Sequence, residues 1–128
     1  MSIITPIKIK EDAETASLTT CAAGGDEFVN TGVEFIRIDN SHASATYTIT
    51  VTAQTTTYSF PRHGKLTKSN TTKEVSAGTS AYIGPFKPSV WNDADGKVQV
   101  TYILGTSGST VISGTHLLKI EVLYLEQK

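Results

Sequence analysis

The stretch from Gly84 to Gly96 constrains this chain most. It holds the only tryptophan, Trp91, and Pro85 and Pro88, two of the four prolines. Each proline fixes φ and removes a backbone donor, so the stretch is neither an ordinary strand nor a long helix. It predicts a crossover. The chain leaves one strand at Gly84, makes one tight turn that plants Phe86 and Trp91 in the core, and re-enters the sheet at Val98. Asn92, Asp93 and Asp95 are suited to bond nearby backbone N–H groups, and Gly96 supplies a positive φ.

The segments on either side have strand character. From Ala45 to Gln54, Tyr47, Ile49 and Val51 alternate with Thr46, Thr48, Thr50 and Thr52. This period of two predicts a half-buried antiparallel strand with one wet, threonine-covered face. Val98, Val100 and Tyr102 alternate in the next strand, and Leu118, Ile120, Val122 and Tyr124 in the last. Leu123 and Leu125 fall on the opposite face of that last strand, placed for self-association. Glu27–Asn30 and Val33–Asp39 flank a turn signal at Asn30–Gly32, and Asp39–His42 is a second turn cluster. Gly105–Ser109 predicts a hairpin loop. Threonine, with 20 of 128 residues, suits such strands. The fold expected is a single antiparallel β-sandwich or small barrel, jelly-roll or Ig-like, over residues 26–128.

Residues 1–25 form an arm and linker in this reading. Ile7 and Ile9 alternate with Lys8 and Lys10, while Pro6 argues against a central strand. The arm either docks on a partner through Ile3, Ile4, Ile7 and Ile9 or forms a first edge strand of the same domain. Residues 62–73 read as a basic loop carrying Arg62, Lys65, Lys68 and Lys73. It is a solvated loop or an electrostatic contact with an acidic protein surface.

Little in the sequence points to chemistry. His42, His63 and His116 stand far apart, none at metal-ligand spacing. Cys21 is the only cysteine and has no basic neighbour to activate it; a lone thiol fits synthesis in a reducing cytoplasm. Asp93–Gly96 opens like a calcium loop but lacks the later ligands, so a turn is expected. The 11 basic and 12 acidic residues nearly balance, giving no electrostatic reason to expect nucleic acid or an anionic membrane as partner. No apolar run reaches the roughly 20 residues of a membrane span, and no signal peptide is evident. No catalytic, cofactor-binding or metal site is expected.

Several segments resemble, in the same order, a group of small virion proteins of tailed bacteriophages. They are Gly24–Gly32, Ile38–Ser41, the Thr/Val strand 45–54, Val75–Thr79 leading to Ile83–Phe86, and Trp91–Tyr102. The similarity covers roughly residues 24–104 and 117–125 and leaves out residues 1–23 and 62–73. The resemblance implies a capsid decoration or cement protein. Such a protein is non-enzymatic, sits on the virion surface after synthesis in the host cytoplasm, binds the major capsid protein across capsomer joints and associates as a dimer or trimer. A head–tail connector or tail component is the alternative within virions. A carbohydrate-binding sandwich using Tyr58, Phe60 and Tyr82 is the alternative outside them.

Overall fold

The computed structural model describes residues 1–10, 18–54, 57–60, 64–67, 69–105, 112 and 116–125, with backbone alone at 57–60 and 64–67. In chain order the strands are β1 (Ser2–Ile3), β2 (Ile7–Ile9), β3 (Thr19–Thr20), β4 (Asp26–Val29), β5 (Phe35–Asn40) and β6 (Tyr47–Val51). There follow β7 (Thr57–Phe60), β8 (Gly64–Thr67), β9 (Thr71–Val75) and β10 (Ser80–Ile83), the one-turn helix α1 (Pro88–Trp91), then β11 (Lys97–Leu104) and β12 (Leu118–Leu125).

The expected all-β sandwich is what forms. One five-stranded sheet runs β1-β4-β11-β6-β9. The other runs β10-β5-β12-β2, with β3 also on β12, and β7 and β8 make a separate hairpin. The alternating faces meet as read. Phe28, Ile49, Val51, Val98, Val100 and Tyr102 from the first sheet are buried with Ile36, Ile38, Leu118, Ile120 and Val122 from the second. Burial of this apolar area is the main drive for the two layers to close. Thr48, on the outward face of β6, is nevertheless buried, with its hydroxyl donating to Gly105 O at 2.7 Å.

The sheets are mixed rather than antiparallel. β1 runs parallel to β4, with Ser2 opposite Asp26, and β2 runs parallel to β12, with Leu123 opposite Ile7. The expected arm therefore pairs on its own domain. It takes the edge of one sheet, crosses at Ile4–Pro6, and takes the edge of the other. Ile4 N–H donates to Glu27 O at 2.8 Å, and the Ile4 side chain joins the core at 6% exposure. β3, absent from the sequence reading, pairs antiparallel with the start of β12, Thr20 opposite Lys119.

The connections also differ from simple hairpins. β4 and β5 belong to different sheets, so the turn at Asn30–Gly32 carries the chain from one layer to the other. β11 and β12 likewise lie in different sheets, so they are not the two arms of the hairpin expected at Gly105–Ser109. Residues 106–109 themselves lie outside the described residues. The reason for the separation is the core: both strands of each pair present an apolar face, and facing layers bury both. The supposed basic loop is largely strand, since Gly64–Thr67 pairs with Thr57–Phe60 and Lys73 lies in β9.

Ile4→Ala is expected to cost about 2–5 kcal/mol, as for other buried large-to-small changes. Ile3→Ala, at a side chain 61% exposed, is expected to cost less than about 0.5 kcal/mol. Urea unfolding at low protein concentration measures both. Equal, small effects would show that the arm does not dock on its own chain.

Candidate functional site

The crossover forms as the sequence predicts. β10 ends at Ile83 in one sheet, a cis Gly84–Pro85 bond follows, and α1 leads to β11 in the other sheet. Pro88 starts the helix, where its missing N–H costs nothing. Asn92 N–H donates to Pro88 O and closes the turn, and Gln54 N–H donates to Val90 O at 2.8 Å, tying the helix to the chain leaving β6. Phe86, Val90 and Trp91 are buried. The Phe86 ring lies 6.0 Å from Phe28 and 5.8 Å from Trp91. Gly84 has φ 122, and a Cβ there would stand 3.0 Å from Phe35 Cβ. A side chain at this position would meet both the left-handed backbone and that contact.

Two asparagine amides hold the crossover. Asn30 Nδ2 donates to Phe86 O at 2.9 Å and to Asn92 Oδ1 at 2.7 Å. Asn92 Nδ2 returns a bond to Asn30 O at 2.9 Å and reaches Gly96 O at 3.3 Å. In the sequence Asn92 stands out as a turn residue and Asn30 only as part of a turn signal.

Asp93 accepts from Asp95 N–H at 2.9 Å, Lys97 N–H at 3.0 Å and Gln99 Nε2 at 2.9 Å. The Gln99 amide first, then the Lys97 N–H, hold the Asp93 carboxyl below its ordinary value. Its oxygens thus close the predicted turn, and Gly96 at φ 76 completes it; Asp95 is exposed beside them. Among the described residues, no group of three or more His, Cys, Asp or Glu is placed to hold a metal ion. Glu34 behaves similarly. Burial pushes its carboxyl up, but N–H groups and the hydroxyl around Thr31 outweigh it, and the net shift is downward.

Several other titratable groups are bound within the scaffold. Tyr102 Oη donates to Asp26 Oδ2 at 2.7 Å inside the sandwich, and Ala22 N–H donates to the same oxygen. Cys21 is buried beside Tyr102, and burial pushes its thiol up to about 12. At neutral pH it is therefore a thiol and not a thiolate nucleophile. His42 Nδ1 accepts from Ser44 and Ala45 N–H, and His116 Nδ1 accepts from Leu118 N–H. His63, Arg62 and Lys68 lie outside the described residues. Lys65 is in β8, and Tyr58 and Phe60 are in β7.

Surface features remain as candidates for binding. Ile3, Ile4, Thr5, Ile7, Thr19 and Glu121 line a half-open cleft of about 310 Å³ where the arm crosses between the sheets. Leu123 and Leu125 do not behave alike. Leu123 is 8% exposed between its cross-strand partners Phe35 and Ile7, and Leu125 is 58% exposed. Tyr82, 67% exposed, stands with its ring 6.2 Å from that of Phe35. Lys73 is exposed on β9, an edge strand. Among the described residues, no helix is long and apolar enough to cross a membrane.

Because the folded-state values of Asp93 and Glu34 are lowered, their stabilisation is complete above the ordinary carboxylate range. It is lost as pH falls through the lowered values. Asp93→Asn and Glu34→Gln are each expected to be less stable than the parent near pH 7, with the gap closing below about pH 3. Urea midpoints at both pH values test this; a gap unchanged with pH would refute the carboxylate role.

Compared with protein-family models, curated proteins and solved structures, the chain finds no match.

Proposed function

We propose that this is a non-enzymatic structural protein of a tailed-phage virion that decorates and cements the outer capsid surface, bridging capsomer joints. The observation that carries the reading is the division of labour along the chain. The segments resembling small virion proteins are scaffold: the turns at Asn30–Gly32 and Ser76–Thr79, the strand Tyr47–Val51, and the crossover into β11. Described parts of the segments outside the resemblance lie on sheet edges. Ser2–Ile3 and Ile7–Ile9 occupy the edges of the two sheets on one side of the sandwich, and Lys73 lies on the edge strand of the other side.

An edge strand keeps one row of N–H and C=O groups for a neighbour, and extended partners use such rows by strand addition. Cementing needs this combination of a stiff body and adhesive margins. Many weak contacts repeated over a symmetric shell add by avidity.

The test is binding to mature capsids that lack the protein, with occupancy counted by cryo-electron microscopy. Saturable occupancy at symmetric positions over the shell is the expected result. Density at a single vertex would replace this reading with a connector or tail role. No density would remove the virion surface altogether.

A further inference from the structure

The edges of the two sheets are not equally guarded. On one side of the sandwich, β1 and β2 offer only two and three residues. On the other side, β9 and β10 end the two sheets. In β9, Lys73 lies opposite buried Ile49, so this exposed cationic residue stands on the inward face of its edge. An inward charge of that kind blunts an edge against another strand. β10, with Ser80, Ala81, Tyr82 and Ile83, carries no charge. Its backbone directions follow from the register. Asn40 N–H donates to Thr79 O at 3.0 Å, and from there Ser80 lies opposite Asp39, Ala81 opposite Ile38, Tyr82 opposite Arg37 and Ile83 opposite Ile36. Bonded and non-bonded pairs alternate along an antiparallel ladder. Thr79, Ala81 and Ile83 therefore direct their N–H and C=O groups to β5, and Ser80 and Tyr82 direct theirs to the open side of the sheet.

We propose that the β10 edge pairs antiparallel with the β10 edge of a second copy of the chain, so that one sheet runs on through a two-fold dimer. The edge is its own complement. With the two-fold axis at Ala81, Ser80 of each copy lies opposite Tyr82 of the other, and their outward groups close four backbone hydrogen bonds. Ala81 meets Ala81 of the second copy in the central non-bonded pair, where side chains come closest and a small one fits. No other centre uses the edge as fully. An axis at Ser80 asks Gly78, in a turn at φ 71, to pair with Tyr82, and an axis at Tyr82 asks Gly84, at φ 122, to pair with Ser80. Either leaves the outer bonds unmade. The flanking charges agree with the Ala81 axis. It continues the Arg37–Tyr82 row of one copy into the Ser80–Asp39 row of the other, with opposite charges at the two ends. The other two axes would end a row in two Asp39 or two Arg37 residues. Four backbone bonds make a small contact, so the dimer is weak and reversible. This inference does not rest on the virion reading.

Single cysteines placed on the full chain test it. Ser80→Cys and Tyr82→Cys both change exposed positions. Mixed one to one, the two variants set their Cα atoms about 5.5 Å apart across a bonded pair, within the span of a disulfide. In either variant alone the two cysteines are diagonal neighbours about 7–8 Å apart, beyond ready bridging. With oxidised glutathione as oxidant, the mixture is expected to form the disulfide-linked heterodimer about tenfold faster than either variant forms a homodimer. Non-reducing electrophoresis and mass spectrometry read this. Cys21 is buried as a thiol and does not compete. Ser80→Pro removes an outward N–H that β5 does not use, at the first residue of the strand, where proline is tolerated. It is expected to weaken dimerisation about tenfold in sedimentation equilibrium, since each dimer loses two bonds, and to leave the chain folded. A mixture that cross-links no faster than either variant alone, or a parent that stays monomeric at several hundred micromolar, overturns the proposal and leaves the edge to an extended segment of a different protein.

Discussion

Two asparagine amides hold the point where the chain changes layers. Asn30, leaving β4, and Asn92, leaving α1, bond each other reciprocally, and between them satisfy the carbonyls of Phe86, Asn30 and Gly96. A buried backbone carbonyl without a donor is costly, and the turns and crossover here depend on side chains to supply one. The amide pair therefore fixes where the crossover sits. The crossover in turn seats Phe86 and Trp91 against Phe28 and brings β11 in between β4 and β6.

The rest of the sandwich is closed at its sides by covalent chain. On one side the turn Ser76–Thr79 joins the edge strand β9 to the edge strand β10. On the other, Ile4–Pro6 joins β1 to β2. Asn40 strengthens the first side, with its Nδ2 donating to Ala45 O and Val75 O across the two layers. The chain thus crosses from one layer to the other at both margins of the sandwich.

Much of this was legible. The alternation Tyr47, Ile49, Val51 and the later Val98, Val100, Tyr102 each named a buried face, because the strand period of two is a local property of the backbone. The prolines and the Asp93–Gly96 turn named the crossover, because φ restriction and side-chain-to-backbone bonds act within a few residues. The arm was only half legible. Ile7 and Ile9 carried a strand pattern, but three residues contain nothing that specifies parallel pairing with β12. Thr19–Thr20 was too short to stand out from a polar linker. Asn30 read as one turn residue among several, since its partner Asn92 lies far along the chain. Tyr102 was legible as sharing one strand face with Val98 and Val100, but its bond to Asp26 was not.

By itself, then, the sequence determined the class of fold, the faces of the long strands, and the place and character of the crossover, all consequences of local periodicity and local conformational restriction. Only the tertiary structure decided which strands share a sheet, that β4 parts from β5 and β11 from β12, and that the first residues lie along both edges. Those choices depend on which distant apolar faces bury each other and which distant donors meet which carbonyls. The same holds for the cross-strand pairs Asp39 and Lys119, Arg37 and Glu121, and Phe35 and Leu123, which meet only once β5 and β12 are in register.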